Sequence, residues 1–370
     1  MPSTLIITND FPPRVGGIES FVSEVCTLLD HDVVVYASGS AGAAASDGDR
    51  PFPVVRDGPL LLPTPRVAAR AAALLRDFGS TRVIFGAAAP LGLLAPSLRR
   101  AGAQQIIGLT HGHETWWAQV PAARRMLRGI GDSCDHLTAI SGYTERRIAS
   151  GLGPIARSRL LRLAPPVDVK RFRPPRTAEV RNPGRCIAIA RLIPQKGVET
   201  LLRAWRMVLD RTSVSDARRE LVVVGDGPLR PRLERTIRKL QLANSTRLLG
   251  ALPSAGVISQ LQQAGVFALP VRTRLAGLNP EGLGLAALEA AACGLPVIVG
   301  DSGGAPGTVR DGETGFVVPS DDHALLAERL ILLLDNPSLA QEMGVRGRRY
   351  VAAHFSTEVA RARLCEMFKR

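Results

Sequence analysis

The sequence predicts an α/β fold of two doubly wound parallel sheets, and three observations carry that expectation. Short apolar runs alternate with helix-forming stretches along the chain, the pattern of strands covered on both faces. The alternation breaks at Ala164-Pro165-Pro166-Val167-Asp168-Val169-Lys170-Arg171-Phe172-Arg173-Pro174-Pro175, whose prolines read as a stiff connector. The 370 residues are too many for one typical core and suit two. The expected division is a first domain over 1–166, a linker over 167–175 and a second domain over 176–353. A closing helix over 354–370 is expected to cross back to the first domain.

Thr4–Thr8 reads as the opening strand. The turn Asn9-Asp10-Phe11-Pro12-Pro13-Arg14-Val15-Gly16-Gly17 leads from it into a helix over 18–29. In a doubly wound sheet a Gly pair at this point lets a phosphate or substrate approach backbone amides. A tight strand-to-helix turn explains the pair equally well. Further strands are expected over 32–37, 82–85, 104–109, 136–140 and 160–163. Helices are expected over 67–78 and 90–100, and to 151 behind the cap residue Ser141. Residues 38–50, rich in Gly, Ala, Ser and Asp, read as a surface loop.

The strand ending at Leu109 runs into Thr110-His111-Gly112-His113-Glu114, at a position where α/β folds bind ligands. No other His or Cys cluster joins the two histidines, so metal is not expected, and His111 is the expected ligand contact. Trp116-Trp117 and the basic run Arg124-Arg125-Met126-Leu127-Arg128 follow. A helix with Arg on one face and Met126, Leu127 and Ile130 on the other can touch acidic lipid. The plainer reading, a core helix with a solvated Arg face, is the preferred one.

The second half repeats the pattern. Strands are expected over 186–190, 221–224, 246–250, 266–270, 296–299 and 315–318. Helices are expected over 198–209, 229–243, 257–264, 322–335, 337–353 and 356–369.

Bulk properties exclude several classes. No apolar run reaches the ~18–20 residues of a membrane helix. The start Met1-Pro2-Ser3-Thr4 lacks a basic leader, so no signal peptide is expected. Cys26, Cys134, Cys186, Cys293 and Cys365 form no C-x-x-C pair, which points to buried free thiols in a reducing cytosol. The net charge of +14 is almost all Arg and favours anionic partners: nucleic acid, acidic lipid or phosphorylated substrates. With aromatics at 4% there is no basic-aromatic platform for single strands, so nucleic acid is not an expected partner.

The most informative stretch is Asn279-Pro280-Glu281-Gly282-Leu283-Gly284-Leu285-Ala286-Ala287-Leu288-Glu289. It follows the apolar run Val266-Phe267-Ala268-Leu269-Pro270 and passes into an Ala-rich helix stopped by Gly294. Glu281 therefore sits in a Gly-rich loop at a strand's carboxyl end and Glu289 on the next helix. Gly282 and Gly284 let backbone N–H groups approach a ligand. Amides at a helix start suit a diphosphate and carboxylates suit sugar hydroxyls, so the loop reads as a nucleotide-sugar site. Arg191 and Lys196, just past another strand, are spaced to converge on one anion, Arg as a planar fork and Lys as a point charge. Such cations stabilise the charge that builds on a departing diphosphate.

The combination of E-x7-E with R-x4-K resembles the retaining GT-B glycosyltransferases of the family-four type. The resemblance covers nearly the whole chain. It also rests on Phe11-Pro12-Pro13 with Gly16-Gly17, Thr110 to Glu114, Val167-Asp168 with Phe172 and Pro174, Lys196-Gly197, and Gly225-Asp226-Gly227-Pro228. Thr8 to Arg14, Phe85-Gly86-Ala87-Ala88-Ala89-Pro90 and Arg272-Thr273-Arg274 are more narrowly similar to the actinobacterial GDP-mannose-dependent phosphatidylinositol (monomannoside) mannosyltransferases. Asn279-Pro280, Gly307 and Trp116-Trp117 depart from that pattern.

The resemblance implies two Rossmann-like domains facing a deep cleft, the first binding acceptor and the second the nucleotide sugar. It places Gly16 and Gly17 beside the diphosphate, which Arg191 and Lys196 bind. Glu281 would hold sugar hydroxyls, Glu289 the ribose, and the Leu283 and Gly284 amides would complete the cradle. His111 would touch the transferred mannose. The expected reaction is mannose transfer from GDP-mannose to an inositol hydroxyl of a lipid, with retention. No second carboxylate is placed as a nucleophile, so front-face attack is expected. No Asp-x-Asp stands near the site, so no metal is expected to be required. A cytoplasmic protein, peripheral on the inner face of the membrane, follows. The alternatives are a UDP-sugar donor or a soluble acceptor on the same fold, an epimerase of that fold, or a charge-driven nucleic-acid binder.

Overall fold

The structure, a computed structural model, describes residues 4–14, 16–177, 180–211, 219–274, 277 and 279–369. Met1-Pro2-Ser3 and Val15, which the sequence reading included, lie outside the described residues. The chain forms two compact units, one of 1–166 with 358–370 and one of 167–357.

The first unit is built on seven parallel strands: β1 (Thr4–Thr8), β2 (Val33–Ser38), β3 (Val54–Asp57), β4 (Arg82–Phe85), β5 (Gln105–Gly108), β6 (His136–Ala139) and β7 (Leu160–Arg162). Their order is β3-β2-β1-β4-β5-β6-β7. Every residue of β1 and β2 is buried, as a strand covered on both faces requires. The helices are α1 (Gly17–Leu28), α2 (Ala43–Gly48), α3 (Pro65–Asp77), α4 (Ala95–Arg100), α5 (Pro121–Ser133), α6 (Gly142–Ala149) and α7 (Pro154–Ser158). Thr64 caps α3 through Val67 N–H with Pro65 at the first helical position, and Ser141 and Thr144 form a reciprocal capping box on α6.

The second unit carries β8 (Arg185–Ile189), β9 (Glu220–Val224), β10 (Thr246–Gly250), β11 (Val266–Leu269), β12 (Val297–Gly300) and β13 (Gly315–Val318), in the order β10-β9-β8-β11-β12-β13. Its helices are α8 (Val198–Arg211), α9 (Arg230–Lys239), α10 (Ser254–Gln263), α11 (Leu285–Ala292), α12 (His323–Asp335) and α13 (Pro337–Phe355). The last helix, α14 (Thr357–Met367), belongs mainly to the first unit. There Arg361 pairs with Asp30 at 2.5 Å, and Gln105 donates to the Phe368 carbonyl at 3.0 Å.

Counted from its own first strand, the second sheet runs 3-2-1-4-5-6, the dinucleotide-binding order, and the first sheet adds one strand to the same order. Each sheet thus has a switch point, between β1 and β4 and between β8 and β11. In sheets of this order the strands' carboxyl ends beside the switch point are where ligands bind.

Four expectations need correction. Residues 43–48 form α2 rather than loop, and β3 was not anticipated. Two ion-pair bonds from Arg56 of β3 to Asp47 tie the pair together at 2.8–2.9 Å, a contact no local pattern announces. The stretch 167–175 is part of the second unit: Val167 N–H bonds the Phe355 carbonyl, and Arg348 bonds the carbonyls of Val169 and Phe172. On α5, Leu127 and Ile130 are buried but Met126 is 41% exposed, on the side of the arginines. Cys365 is exposed, while the other four thiols are buried.

Candidate active site

In the second unit the loops after β8 and β11 bring the basic and acidic candidates together. Pro194–Lys196 forms a single 3-10 turn, closed by Gly197 at φ +67°. A side chain at Gly197 would strike the Pro270 carbonyl, so this turn lies directly against the end of β11. Lys196 Nζ then meets Glu281 Oε2 at 2.6 Å. Gln195 and Arg272 hold the two loops in register. Gln195 donates to the Pro280 carbonyl at 2.7 Å, and its own carbonyl accepts from Arg272 N–H at 2.8 Å. Arg272 Nε donates to the Pro194 carbonyl at 2.8 Å.

The loop after β12 fixes Glu281 from the other side. Ser302 Oγ accepts from Glu281 N–H at 3.2 Å, and Gly304 N–H donates to the Glu281 carbonyl at 2.8 Å. Gly303, at φ +57°, leaves no room for a Cβ against that same carbonyl. Glu281 is buried although charged, held by these bonds and its Lys partner.

Gly282 forms a bend, Leu283 is buried, and Gly284 caps α11 at φ +97°. Glu289 stands on α11 one turn short of its end, half-buried. Burial pushes its carboxyl up from 4.5 to about 7, and the Arg171 guanidinium opposes the rise. Arg191, the second residue after β8, is exposed, and among the described residues its guanidinium has no hydrogen-bond or ion-pair partner. The structure therefore joins Lys196 to Glu281 directly, while Arg191, in the loop after β8, and Glu289, on α11, make no hydrogen bond or ion pair with them among the described residues.

In the first unit the remaining candidates gather at the carboxyl edge. Gly16 is the extended N-cap of α1 and Gly17 its first residue, with open space where a Cβ would stand. Neither glycine has a positive φ, so backbone strain does not require them here; a Cβ at Gly16 would meet the end of the flexible Glu19 side chain, and one at Gly17 would meet nothing. His111, after β5, is buried edge-on to Phe21 of α1 at 5.8 Å. Its Nε2 lies 2.5 Å from the Gly86 carbonyl after β4. A carbonyl only accepts, so Nε2 carries the proton and Nδ1 remains an acceptor. Burial lowers the pKa and keeps the ring neutral. Glu114 is buried and accepts from the N–H groups of His111 and Gly112 at 2.9 and 3.2 Å, which fixes the turn. His113 stacks on His111 at 6.2 Å. Among the described residues no group of three metal-ligating side chains occurs.

Residue-by-residue reading missed Gln195, Ser302 and Asn9. Asn9 bonds both the carbonyl and the N–H of Leu61, at 2.9 and 2.7 Å. The polar residue between Arg191 and Lys196 was a signal for Gln195. Nothing local marks Ser302, which is 21 residues from the group it holds.

The second half matches the family model described as "Glycosyl transferases group 1" over residues 170–350, and the first matches "Glycosyltransferase Family 4" over 15–171. A GDP-mannose-dependent alpha-(1-6)-phosphatidylinositol monomannoside mannosyltransferase of Mycolicibacterium smegmatis is 42% identical, over 98% of this chain and 97% of its own. The chain belongs to the family-four GT-B glycosyltransferases. A second member of the family, a GDP-mannose-dependent monoacylated alpha-(1-6)-phosphatidylinositol monomannoside mannosyltransferase of Corynebacterium glutamicum, is 41% identical over 99% of this chain and 97% of its own. The GT-B fold is shared with Anabaena HepE crystallised with UDP, at TM-score 0.81 and 16% identity over 99% of each chain. It is also shared with a Thermosynechococcus elongatus sucrose-phosphate synthase, at TM-score 0.77 and 20% identity over 99% of this chain and 98% of that one.

Proposed function

We propose that this glycosyltransferase moves mannose from GDP-mannose to an inositol hydroxyl of a phosphatidylinositol mannoside, with retention and without a metal. The observation that carries a nucleotide-sugar site is the meeting of Lys196 and Glu281 at 2.6 Å at the switch point of a dinucleotide-type sheet. The names of the full-length relatives support the choice of donor and acceptor.

On this reading Arg191 and Lys196 bind the diphosphate, and Lys196 exchanges its Glu281 partner for phosphate oxygens. Glu281 is then free to accept from the sugar's hydroxyls. Glu289 accepts from the ribose, and the N–H groups of Leu283 and Gly284, at the start of α11, complete the cradle. Gly17 leaves room for the diphosphate, and the free Nδ1 of His111 accepts from a mannose hydroxyl. As the C1–O bond to phosphate breaks, charge builds on the leaving oxygen, and the two fixed cations lower that barrier. The acceptor hydroxyl bonds to C1 on the same face and gives its proton to the departing phosphate, releasing GDP. Arg191 and Lys196 supply the positive charge that a divalent cation provides in other transferases.

A lipid acceptor calls for a peripheral position on the inner face of the membrane, at an acidic surface. No helix among the described residues is long and apolar enough to cross a membrane. Two exposed surfaces of the first unit suit contact with such a surface: Leu60 and Leu62 beside Arg66 of α3, and Trp116, Val120 and Met126 beside Arg124, Arg125 and Arg128 of α5.

The test offers GDP-mannose, UDP-glucose and ADP-glucose to the chain, with lipid extract as acceptor and EDTA present. Mannosylated lipid from GDP-mannose alone is expected. Transfer from another donor, sugar release that needs no acceptor, or activity that EDTA abolishes and Mg²⁺ restores would overturn the reading.

A further inference from the structure

The second unit has a cavity of about 590 Å³ at the other end of its sheet from Lys196 and Glu281. Pro183, Gly265 and Gly294, which precede β8, β11 and β12, place it at the strands' amino ends. The volume falls within the ~300–1,000 Å³ typical of small-molecule sites. Its walls combine aliphatic groups, among them Pro174, Leu333 and Val345, with the guanidinium-bearing Arg181, Arg348 and Arg349. Among the described residues that line it, none is acidic and none aromatic.

The arginines leave an unbalanced charge. Arg181 donates to the carbonyls of Gly294 and Cys293, each at 2.9 Å. Arg348 donates to those of Phe172 and Val169 at 2.9 Å, and also to that of Ala292. Three of these carbonyls close the C-terminus of α11, which offers only about half a negative charge. Neither guanidinium has a carboxylate partner among the described residues, and burial lowers the pKa of Arg181. A half-buried cation without a counter-charge is costly, and an anion in the cavity would offset that cost. With five N–H donors on each guanidinium, both side chains have donors to spare.

We propose that this cavity binds an anionic single-chain amphiphile. Its carboxylate or phosphate head lies against Arg349 and the spare donors of Arg181 and Arg348, and its acyl chain along Pro174, Leu333 and Val345. Mostly aliphatic walls, with no aromatic ring and only Gln341 as an uncharged polar side chain, suit a hydrocarbon chain rather than a base or a sugar. The site is separate from the donor site and does not depend on the choice of sugar.

Calorimetric titration of the full chain with oleate, oleoyl lysophosphatidate, neutral monoolein and inorganic phosphate tests it. Oleate and lysophosphatidate should bind, with monoolein weaker by roughly ten- to hundredfold, the worth of a charged hydrogen bond. Val345→Trp, at an exposed position of α13, fills the cavity, and Arg349→Glu reverses its charge. Each should weaken oleate binding by about tenfold or more while GDP binding, which reports the fold, is unchanged. Equal binding of monoolein, phosphate binding as tight as lysophosphatidate, wild-type oleate affinity in both variants, or competition between oleate and GDP-mannose would each overturn the proposal.

Discussion

Glu289 shows how one half-buried carboxyl couples folding to donor binding. Its pKa stands raised at about 7, so between its ordinary 4.5 and 7 the folded chain holds a proton that the unfolded chain has lost. Stability therefore falls as pH rises through that window. Donor binding runs the other way, because only the ionised carboxylate is a full acceptor for ribose hydroxyls. The affinity for GDP-mannose, whose diphosphate charge is constant there, should rise between about pH 6 and pH 8 and be flat in Glu289→Gln. A wild-type affinity independent of pH would remove Glu289 from the ribose site. Gly303 makes a second case. With φ at +57° and its Cβ direction closed by the Glu281 carbonyl, Gly303→Ala must push Glu281 away from Lys196. A loss of roughly tenfold or more in kcat/KM for GDP-mannose is expected, with thermal stability lowered much less. Unchanged kinetics would mean that Glu281 need not be held this closely.

Among the elements, the strand ends and helix starts carry the chemistry, and their caps carry measurable stability. The α6 capping box satisfies two orphan N–H groups through Ser141 and Thr144, so Ser141→Ala should cost about 1 kcal/mol by denaturant unfolding. A cost near zero would show that neighbouring contacts, rather than the cap, hold α6. Strands and helices with a strong period were legible, because a buried parallel strand needs a continuous apolar run. The pair α2 and β3 was not. Residues 43–48 are Ala, Ser, Asp and Gly, whose local preference is loop, and β3 is only half-buried at the sheet's edge. Arg56 settles the matter by binding Asp47, Ser38 and Pro12 at once. On α5 the packed face takes Leu127 and Ile130 and leaves Met126 beside the arginines, a choice made by the neighbouring elements rather than by the helical period.

Across the whole molecule, the net charge of +14 meets exposed apolar side chains at two places on the first unit. Binding to vesicles containing acidic lipid should therefore be strong at low salt and fall steeply as screening shortens to ~10 Å at 0.1 M. Leu60→Asp with Leu62→Asp should weaken flotation with such vesicles without changing GDP affinity. Flotation equal on neutral and acidic vesicles would dismiss the electrostatic part. DNA retained as strongly as acidic lipid would revive the nucleic-acid alternative.

The sequence alone determined that two parallel sheets form, that Gly-rich loops follow their strands, and that Arg191, Lys196, Glu281 and Glu289 are candidates. Those facts are local, set by apolar runs and by the few residue types that suit phosphate and hydroxyl groups. Tertiary structure decided that Lys196 and Glu281 touch across 85 residues, that Gln195, Arg272 and Ser302 hold them, and that Nε2 of His111 is occupied by Gly86. It also decided that Arg181 and Arg348 face a cavity without a counter-ion among the described residues. Such pairings depend on which loops the strand order brings side by side, and strand order is a property of the packed sheet rather than of any stretch of chain.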